Sequence, residues 1–265
     1  MSTGDATSFE VSGEAYDRFM GRYSGPLAAA FVDALGIEPG QRVLDVGCGP
    51  GALTGELVRR LGPTAVRAVD PSESFVAVCR TRNPGVDVAR GRAEKLPYRN
   101  ADFDAALAQL VLHFVTDPEA TAAEMRRIVR PGGLVAASVW DFGEGMTMLR
   151  EFWGAARELD PDAPAESKRR RFGRDGEIGE LFANAGLEDV TSGSLEVSAE
   201  YEGFDDFWAP FSGGVGPAGA YVASLDDRAR GRLRDELRDR LGSPDGPFTL
   251  PARAWFASGR VPGRK

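Results

Sequence analysis

Short apolar runs alternate with helical patterns along the first half of the chain. Such runs predict buried strands, whereas apolar residues that recur every three or four positions predict one face of an amphipathic helix. The segment 24–36 is typical of the second pattern, because apolar residues recur from Leu27 to Leu35 behind Ser24 and Pro26, which favour a helix start. This alternation indicates right-handed βαβ units, and therefore an α/β fold with a mostly parallel sheet covered on both faces.

The pattern predicts both strands and helices along most of the chain. The predicted strands are 42–47, 66–70, 86–91, 103–110, 133–140, 187–201 and 249–261. The predicted helices are 24–36, 52–62, 72–82, 117–133, 146–160 and 176–186, with a leucine seam at 229–241 that predicts one more. In 117–133, Asp117 is a suitable cap, Pro118 suits the first helical position, and Pro-Gly-Gly is expected to end the helix.

The regular alternation stops after Trp140 and gives way to two irregular insertions, at about 141–174 and 203–245. Both are rich in aromatic residues, and the second contains the stretch FDDFWAPF. Core packing accounts for most aromatics in proteins, but a small helical lid over a bound ligand also fits. We therefore divide the chain into 1–36, an N-terminal lid segment with the first helix, and 37–265, a core that carries both lid insertions.

The charge and cysteine content limit the classes of partner. The net charge of −8 disfavours a nucleic-acid partner, since that needs a basic face, and the basic run SKRRRFGR is interpreted as a solvated surface. The two cysteines lack the spacing of a metal site or a disulfide framework, so no metal is expected. Without an apolar signal core at the start or a run long enough to span a membrane, we expect a cytoplasmic protein.

The stretch VLDVGCGPG, residues 43–51, joins the first strand to the following helix through a loop rich in glycine. Together with Ala52 it satisfies the dinucleotide pattern G-x-G-x-x-G/A, and Asp70 follows where an acid that binds ribose belongs. Asp45, however, stands two residues before the first glycine and would repel a pyrophosphate. A carboxylate there suits a nucleoside that carries an ammonium group, and S-adenosylmethionine fits that description.

The order of several blocks along residues 15–140 resembles class I S-adenosylmethionine-dependent methyltransferases, in particular the small-molecule (type 11-like) subgroup that includes enzymes acting on quinone rings. The blocks are AYDRFMGRYS, VLDVGCGPG, AVDPS, GRAEKLPYRNADFDAALAQLVLHFV and IVRPGG. The resemblance implies a Rossmann-like seven-stranded sheet in the order 3-2-1-4-5-7-6 with the last strand antiparallel. It also implies S-adenosylmethionine as cofactor, S-adenosylhomocysteine as product and a small molecule as acceptor.

The same resemblance implies roles for residues of VLDVGCGPG and AVDPS, the two blocks that follow AYDRFMGRYS. Gly47 and Gly49 are expected to pack under the methionine part and the ribose of the cofactor, and Asp45 to hold its amino group. Asp70 ends the second strand and is expected to accept both ribose hydroxyl groups, with Pro71 following in the same block. A helix cap is the alternative interpretation of Asp70.

Further cofactor contacts are expected from the later blocks and the first helix. The pair Arg92-Ala93 matches the adenine position, although the family usually has aspartate where Arg92 stands, and neighbouring Glu94 is a substitute acceptor. Gln109 ends the fourth strand, where the main chain usually meets the methionine end. Arg22 is a candidate for the cofactor carboxylate because a guanidinium binds a carboxylate through two bonds, and a surface arginine is the alternative.

The one histidine of the chain, His113, follows the fourth strand and is the candidate general base. Methyl transfer from a sulfonium is an in-line displacement, in which a base matters only when the acceptor must lose a proton. A structural hydrogen bond is the other interpretation of His113. Two other functions remain open: an NAD(P)-dependent oxidoreductase, and a protein that binds the cofactor without catalysis.

Overall fold

The computed structural model describes residues 20–164, 171–214 and 216–263. The chain divides into two compact units. The first, called the sheet unit, comprises Ser24–Asp141, Arg171–Val197 and Arg253–Lys265. The second, called the insertion unit, comprises Met1–Tyr23, Phe142–Arg170 and Ser198–Ala252. The insertion unit therefore combines most of both irregular insertions with the start of the first helix.

One seven-stranded sheet has the order β3-β2-β1-β4-β5-β7-β6, as the resemblance implied. The strands are β1 (Val43–Val46), β2 (Val66–Asp70), β3 (Asp87–Arg90), β4 (Phe103–Gln109), β5 (Val129–Trp140), β6 (Glu188–Tyr201) and β7 (Phe248–Arg260). Strands β1 to β5 run parallel to one another, whereas β7 pairs antiparallel with β5. The predicted fold class is confirmed. The strand order reverses between β1 and β4, and in such sheets ligands bind beyond the carboxyl ends of the strands at that point.

Helices surround the sheet and fill the insertions. They are α1 (Arg22–Leu35), α2 (Ala52–Leu61), α3 (Glu73–Arg82), α4 (Pro118–Ile128), α5 (Thr147–Leu159), α6 (Glu177–Asn184), α7 (Phe204–Ser212), α8 (Gly216–Ser224) and α9 (Asp227–Arg240). The predicted cap Asp117 accepts a hydrogen bond from the helix amide three residues later, and Ser72 caps α3 in the same way.

Two predicted helix limits were wrong. The helix α1 begins at Arg22, so Ser24 and Pro26 lie inside it rather than at its start. The helix α4 ends at Ile128, and the Pro-Gly-Gly stretch belongs to β5. In the second case a strand partner replaces the expected stop, because Val129 pairs with Phe103 across the sheet.

Alternation along the parallel strands sets the two faces of the sheet. In β4, Ala106 and Ala108 belong to the cluster that packs against α4 and α6, whereas Ala105 and Leu107 belong to the cluster that packs against α1, α2 and α3. Gln109 continues the second series and therefore lies on the α1 side of the sheet. This alternation directs the last side chain of β4 to a defined face at the edge where ligands bind.

The insertion unit has an aromatic core of its own. The rings of Phe152 and Phe211 stack with centroids 4.6 Å apart, and Phe207 packs against both Phe211 (5.4 Å) and Tyr201 (5.2 Å). The stretch FDDFWAPF forms most of α7, in which all four aromatic residues are buried. These contacts account for the aromatic residues as packing within the unit, and the proposed lid stays a prediction.

Some sequence features lie outside the described residues. They include residues 15–19 of the first block and the lysine and two of the arginines of SKRRRFGR, which fall in 165–170. Of that basic run, Arg171 is described, and it pairs with Glu119 at 2.6 Å on the surface of the sheet unit. No helix within the described part of the chain combines the length and apolarity that crossing a bilayer requires.

Candidate functional site

The glycine loop after β1 is held against β2 through its backbone. The amides of Gly47 and Cys48 both donate to Val69 O, at 2.7 and 3.0 Å. Gly47 has a φ of +72°, and a Cβ at this position would lie 2.5 Å from Val111 Cγ2. Only glycine avoids both the left-handed strain and this contact, so Gly47 allows the segment after β4 to pack directly on the loop.

Gly49 has the same backbone conformation but a different environment. Its φ is +52°, and a Cβ here would meet nothing within 4 Å. The side of the loop at Gly49 is therefore open, and a ligand can approach bare backbone there. This open side is a local fit for the predicted cofactor, since none of the described residues fills the space where a side chain would lie.

Asp70, at the end of β2, is bonded to the same loop. One carboxylate oxygen accepts the Gly49 amide and the other accepts the Ser72 amide, both at 2.9 Å. Burial raises the pKa of Asp70, and these two amide bonds act against it. The helix cap of α3 is Ser72 and not Asp70, which instead is a rigid acceptor, because each carboxylate oxygen keeps a further lone pair for a ligand hydroxyl.

Asp45 lies in β1, almost completely buried beside the glycine loop. It accepts hydrogen bonds from the backbone amide of Thr54 in α2 and from the Thr54 hydroxyl, the latter at 2.6 Å. Burial raises the pKa of Asp45 to about 8, against the lowering effect of this hydroxyl. A cation beside this carboxylate would favour its ionised form, which is the chemistry expected for an ammonium ligand.

The predicted adenine position after β3 is organised by Glu94. Its Oε1 accepts the Thr116 amide at 2.9 Å and the Arg92 guanidinium at 3.2 Å. Burial acts to raise the pKa of Glu94, but these bonds outweigh it and hold the pKa below its usual value. Arg92 is exposed and also donates to the Thr116 hydroxyl, whereas Ala93 is buried. The charged pair therefore shapes the turn around Ala93, and its role toward adenine stays a prediction.

Gln109 and Ser138 form a polar pair at the carboxyl ends of β4 and β5. They are register partners on the same face of the sheet. Gln109 Nε2 donates to Ser24 O at 2.9 Å, whereas Gln109 Oε1 and Ser138 Oγ are buried without a hydrogen-bond partner in the described residues. Buried polar atoms in native proteins are nearly always paired, so this orphaned pair points to a polar ligand group or a water.

His113 lies in the turn that follows β4, four residues beyond Gln109. Its half-buried ring packs edge to face against the exposed ring of Phe114, with centroids 6.3 Å apart. The turn is closed by the bond from the Phe114 amide to Val111 O at 2.8 Å. His113 is thus held by the same turn whose Val111 covers Gly47, and its role as a base stays a prediction.

Arg22 belongs to the insertion unit and already has a carboxylate partner there. Its guanidinium makes a two-bond ion pair with Asp206 of α7, including an Nη1–Oδ2 bond of 2.7 Å, and donates to Glu200 O at 2.9 Å. Its Cζ also lies 5.1 Å from the centre of the Tyr201 ring. The predicted contact of Arg22 with a cofactor carboxylate would compete with Asp206, and it stays untested.

Three residues that the sequence analysis did not select contribute to the sheet-unit site. Thr54 bonds to Asp45, Val111 covers Gly47, and Ser138 lies beside Gln109. Two of them carried a signal: Thr54 is a hydroxyl among the apolar positions of α2, and Ser138 is polar within an apolar strand. The contact of Val111 with Gly47 is made between distant segments and has no such signal. Among the described residues, no cluster of three or more His, Cys, Asp or Glu side chains suits a metal ion.

Comparisons with known proteins agree with this geometry. The family model "Methyltransferase domain" matches residues 44–137, which include the glycine loop, Asp70 and Gln109. The ubiquinone/menaquinone biosynthesis C-methyltransferase of Cupriavidus metallidurans is 37% identical over 173 residues, which cover 58% of this chain and 70% of that protein. The demethylmenaquinone methyltransferase of Renibacterium salmoninarum is 36% identical over 124 residues, covering 46% of this chain and 52% of that protein.

The same fold is found in a solved structure, a putative type II methyltransferase from Anaeromyxobacter dehalogenans. The TM-score is 0.65 at 23% identity, and the match covers 89% of this chain and 97% of that one. The chain spans only about half the length of the Renibacterium protein and less of several other curated relatives. The segment that matches the family model carries the glycine loop and both acids. The chain therefore belongs to the class I methyltransferase family, whose cofactor is S-adenosylmethionine.

Proposed function

We propose that the protein transfers a methyl group from S-adenosylmethionine to a small aromatic or hydrophobic acceptor by in-line displacement. The observation that carries this proposal is the bond between Asp70 and the Gly49 amide, beside the open face of that glycine. This bond holds the carboxylate that would accept the ribose hydroxyl groups in a fixed position beside the exposed backbone of the glycine loop. The buried Asp45 adds a negative group where the cofactor carries its ammonium.

The residues of the sheet unit have separate tasks in this proposal. Asp70 binds the ribose hydroxyl groups, Asp45 neutralises the ammonium, and the Gly47–Val111 contact keeps the loop in place. The Ala93 amide donates to a ring nitrogen of the adenine, and Gln109 offers its free oxygen to the methionine end. When bound, the cofactor supplies a methyl group on a positively charged sulfur, which needs no further activation. The protein therefore contributes alignment and exclusion of water.

The acceptor class is inferred from the relatives and from the composition of the insertions. Both relatives described above are named for methylation in quinone biosynthesis, so a hydroxylated aromatic ring is the acceptor to test first. The insertions are rich in aromatic residues, whose described rings pack on one another, and it is this composition that supports an acceptor with apolar surface. His113 would accept the proton of a phenolic hydroxyl, if the acceptor reacts as its anion.

Calorimetry separates this function from the NAD(P)-dependent alternative. We expect S-adenosylhomocysteine to bind with micromolar or better affinity and NADH to give no heat. The variant Asp70→Asn should weaken the binding of S-adenosylhomocysteine, because an amide accepts hydrogen bonds on one atom only. The proposal fails if the nicotinamide binds and S-adenosylhomocysteine does not.

Transfer itself is tested with a methyl-labelled cofactor and a panel of reduced quinols, phenols and amines. Label in a quinol or phenol supports the proposed acceptor class, and label only in an amine contradicts it. Binding without transfer to any acceptor favours the non-catalytic alternative. With an active acceptor, His113→Asn should lower kcat more than it raises KM and should remove an ionisation near neutral pH from the rate profile. An unchanged profile excludes His113 as the base.

A further inference from the structure

The two cysteines of the chain lie together under the glycine loop. Cys48 stands between Gly47 and Gly49 in that loop, and Cys79 lies on α3. Both belong to one buried cluster, and their side chains interact directly. They also flank Gly51 from two sides: its amide donates to Cys48 O at 2.9 Å, and a Cβ on it would lie 2.9 Å from Cys79 Sγ.

The thiol pair is connected to the acid beneath the loop. The Cys79 thiol donates to Thr54 Oγ1 at 3.6 Å, and the Thr54 hydroxyl donates to Asp45 at 2.6 Å. Asn83 Nδ2 also lies 3.7 Å from Cys79 Sγ as a donor. A change at Cys79 therefore reaches the carboxylate proposed to neutralise the cofactor ammonium through one intervening hydroxyl.

The environments of the two sulfurs differ in a way that suits oxidation. The hydrogen bond from Cys48 lowers the pKa of Cys79, and the same interaction raises the pKa of Cys48. A thiolate with a neighbouring thiol is the usual arrangement of a reactive and a resolving cysteine. Although neither cysteine lies in a CxxC motif, the fold brings them together from two different elements.

We propose that Cys48 and Cys79 form a reversible disulfide that lowers the affinity of the glycine loop for its cofactor. The bond would tie the loop to α3 and remove the thiol that donates to Thr54. The glycine loop and Asp45 would then both move from the positions in which they bind the ribose and the ammonium of the cofactor. The inference rests on the proposed function only for its readout, the affinity for cofactor.

Hydrogen peroxide is the oxidant of appropriate size for a site this deeply buried. The Cys79 thiolate attacks one peroxide oxygen, which forms a sulfenic acid and releases hydroxide, and the hydroxide is protonated to water. The sulfur of Cys48 then attacks the sulfenic sulfur, and a second water leaves with the Cys48 proton. Two thiols and one peroxide thus give one disulfide and two waters, and a small dithiol reverses the change.

The experiment uses the full chain, first reduced and then treated with peroxide that is removed with catalase. After alkylation in denaturant and digestion without reductant, mass spectrometry should find a peptide that links Cys48 to Cys79. The affinity for S-adenosylhomocysteine, measured by calorimetry, should fall about tenfold on oxidation and recover with dithiothreitol.

The variant Cys79→Ser is the matched control, because its hydroxyl keeps the donor to Thr54. It should bind S-adenosylhomocysteine as the reduced wild type does and should not respond to peroxide. The proposal is overturned if both cysteines of the peroxide-treated protein still react with the alkylating reagent, or if the disulfide-linked protein binds with unchanged affinity. It is also overturned if peroxide lowers the affinity of Cys79→Ser as much as that of the wild type. Failure of the reduced wild type to bind S-adenosylhomocysteine would instead count against the proposed function, while the linked peptide would still report on the disulfide.

Discussion

The sheet unit and the insertion unit position their side chains by different means. In the sheet unit, Asp70 and the glycine loop are joined by bonds that involve the backbone, and strand alternation directs Gln109. In the insertion unit, aromatic rings pack on one another and an ion pair joins Arg22 to Asp206. Backbone geometry recurs among proteins that share a fold, whereas packing depends on each side chain. The comparison teaches why the sheet unit is recognisable from its sequence and the insertion unit is not.

The largest expected effect is in the aromatic core of the insertion unit. Phe207→Ala should lower the free energy of unfolding by about 3 to 5 kcal/mol, because it leaves a cavity that the rigid neighbouring rings cannot fill. Urea unfolding followed by tryptophan fluorescence measures this loss, with Phe207→Leu as a milder control. The affinity for S-adenosylhomocysteine should change little, because the predicted cofactor residues other than Arg22 lie in the sheet unit. An equal loss of affinity would show that the aromatic core supports cofactor binding.

Two glycines of one loop separate folding from binding in the sheet unit. Gly47→Ala should destabilise the protein by about 2 to 4 kcal/mol, from left-handed strain and the contact with Val111. Gly49→Ala should cost only about 1 to 2 kcal/mol, since it has the strain without the contact. Thermal unfolding and calorimetry with S-adenosylhomocysteine measure both. Relative to its effect on stability, Gly49→Ala should lower the affinity for S-adenosylhomocysteine more than Gly47→Ala does. If the affinity of Gly49→Ala is unchanged, the open side of the loop is not a binding face.

Asp45 predicts a pH dependence of the cofactor-free protein. Its pKa is raised from 3.8 to about 8 by burial, so between these values the folded state holds a proton that the unfolded state has lost. The contribution of Asp45 to stability therefore falls as pH rises through this window and is constant above it. Asp45→Asn should remove this slope and stabilise the cofactor-free protein at neutral pH by at least about 1 kcal/mol.

Melting temperatures of wild type and Asp45→Asn across this pH window test that prediction. The gap between the two curves should widen toward higher pH, while the variant should bind S-adenosylhomocysteine weakly at every pH. Parallel curves would mean that Asp45 is already ionised in the cofactor-free protein. Stability and affinity are both measured because replacing an acid with a purely structural role would lower the stability of the protein rather than raise it.

The smallest expected effect concerns Arg22 and Asp206. Their side chains are about a third exposed, so removing the ion pair with Arg22→Ala should cost about 1 kcal/mol or less. Asp206→Asn is the matched variant that keeps Arg22. If Arg22 binds the cofactor carboxylate, only Arg22→Ala weakens the binding of S-adenosylhomocysteine, and Asp206→Asn strengthens it by freeing the guanidinium. If both variants bind normally, Arg22 serves only the insertion unit.

Most of the sheet was predictable because local patterns determine it. Strand β2 has the predicted limits, and the other strands differ mainly at their ends. The start of α1 and the end of α4 were missed, because a strand partner for Val129 and the actual first turn of α1 depend on contacts with distant residues. Within the candidate site, Asp45, Gly49 and Asp70 were selected by their spacing and by the family resemblance, and their roles stay predictions. Their partners Thr54 and Ser138 required knowledge of which faces meet.

The sequence by itself determined a parallel sheet with a glycine loop and two acids at its edge, since period and spacing are properties of neighbouring residues. Only the tertiary structure decided that Val111 covers Gly47, that Asp206 holds Arg22 and that Cys48 meets Cys79. These contacts join residues far apart in the chain, and their existence depends on how helices and strands pack. The physical reason is that local backbone preference has a short range, whereas burial and charge pairing act between whatever surfaces folding brings together.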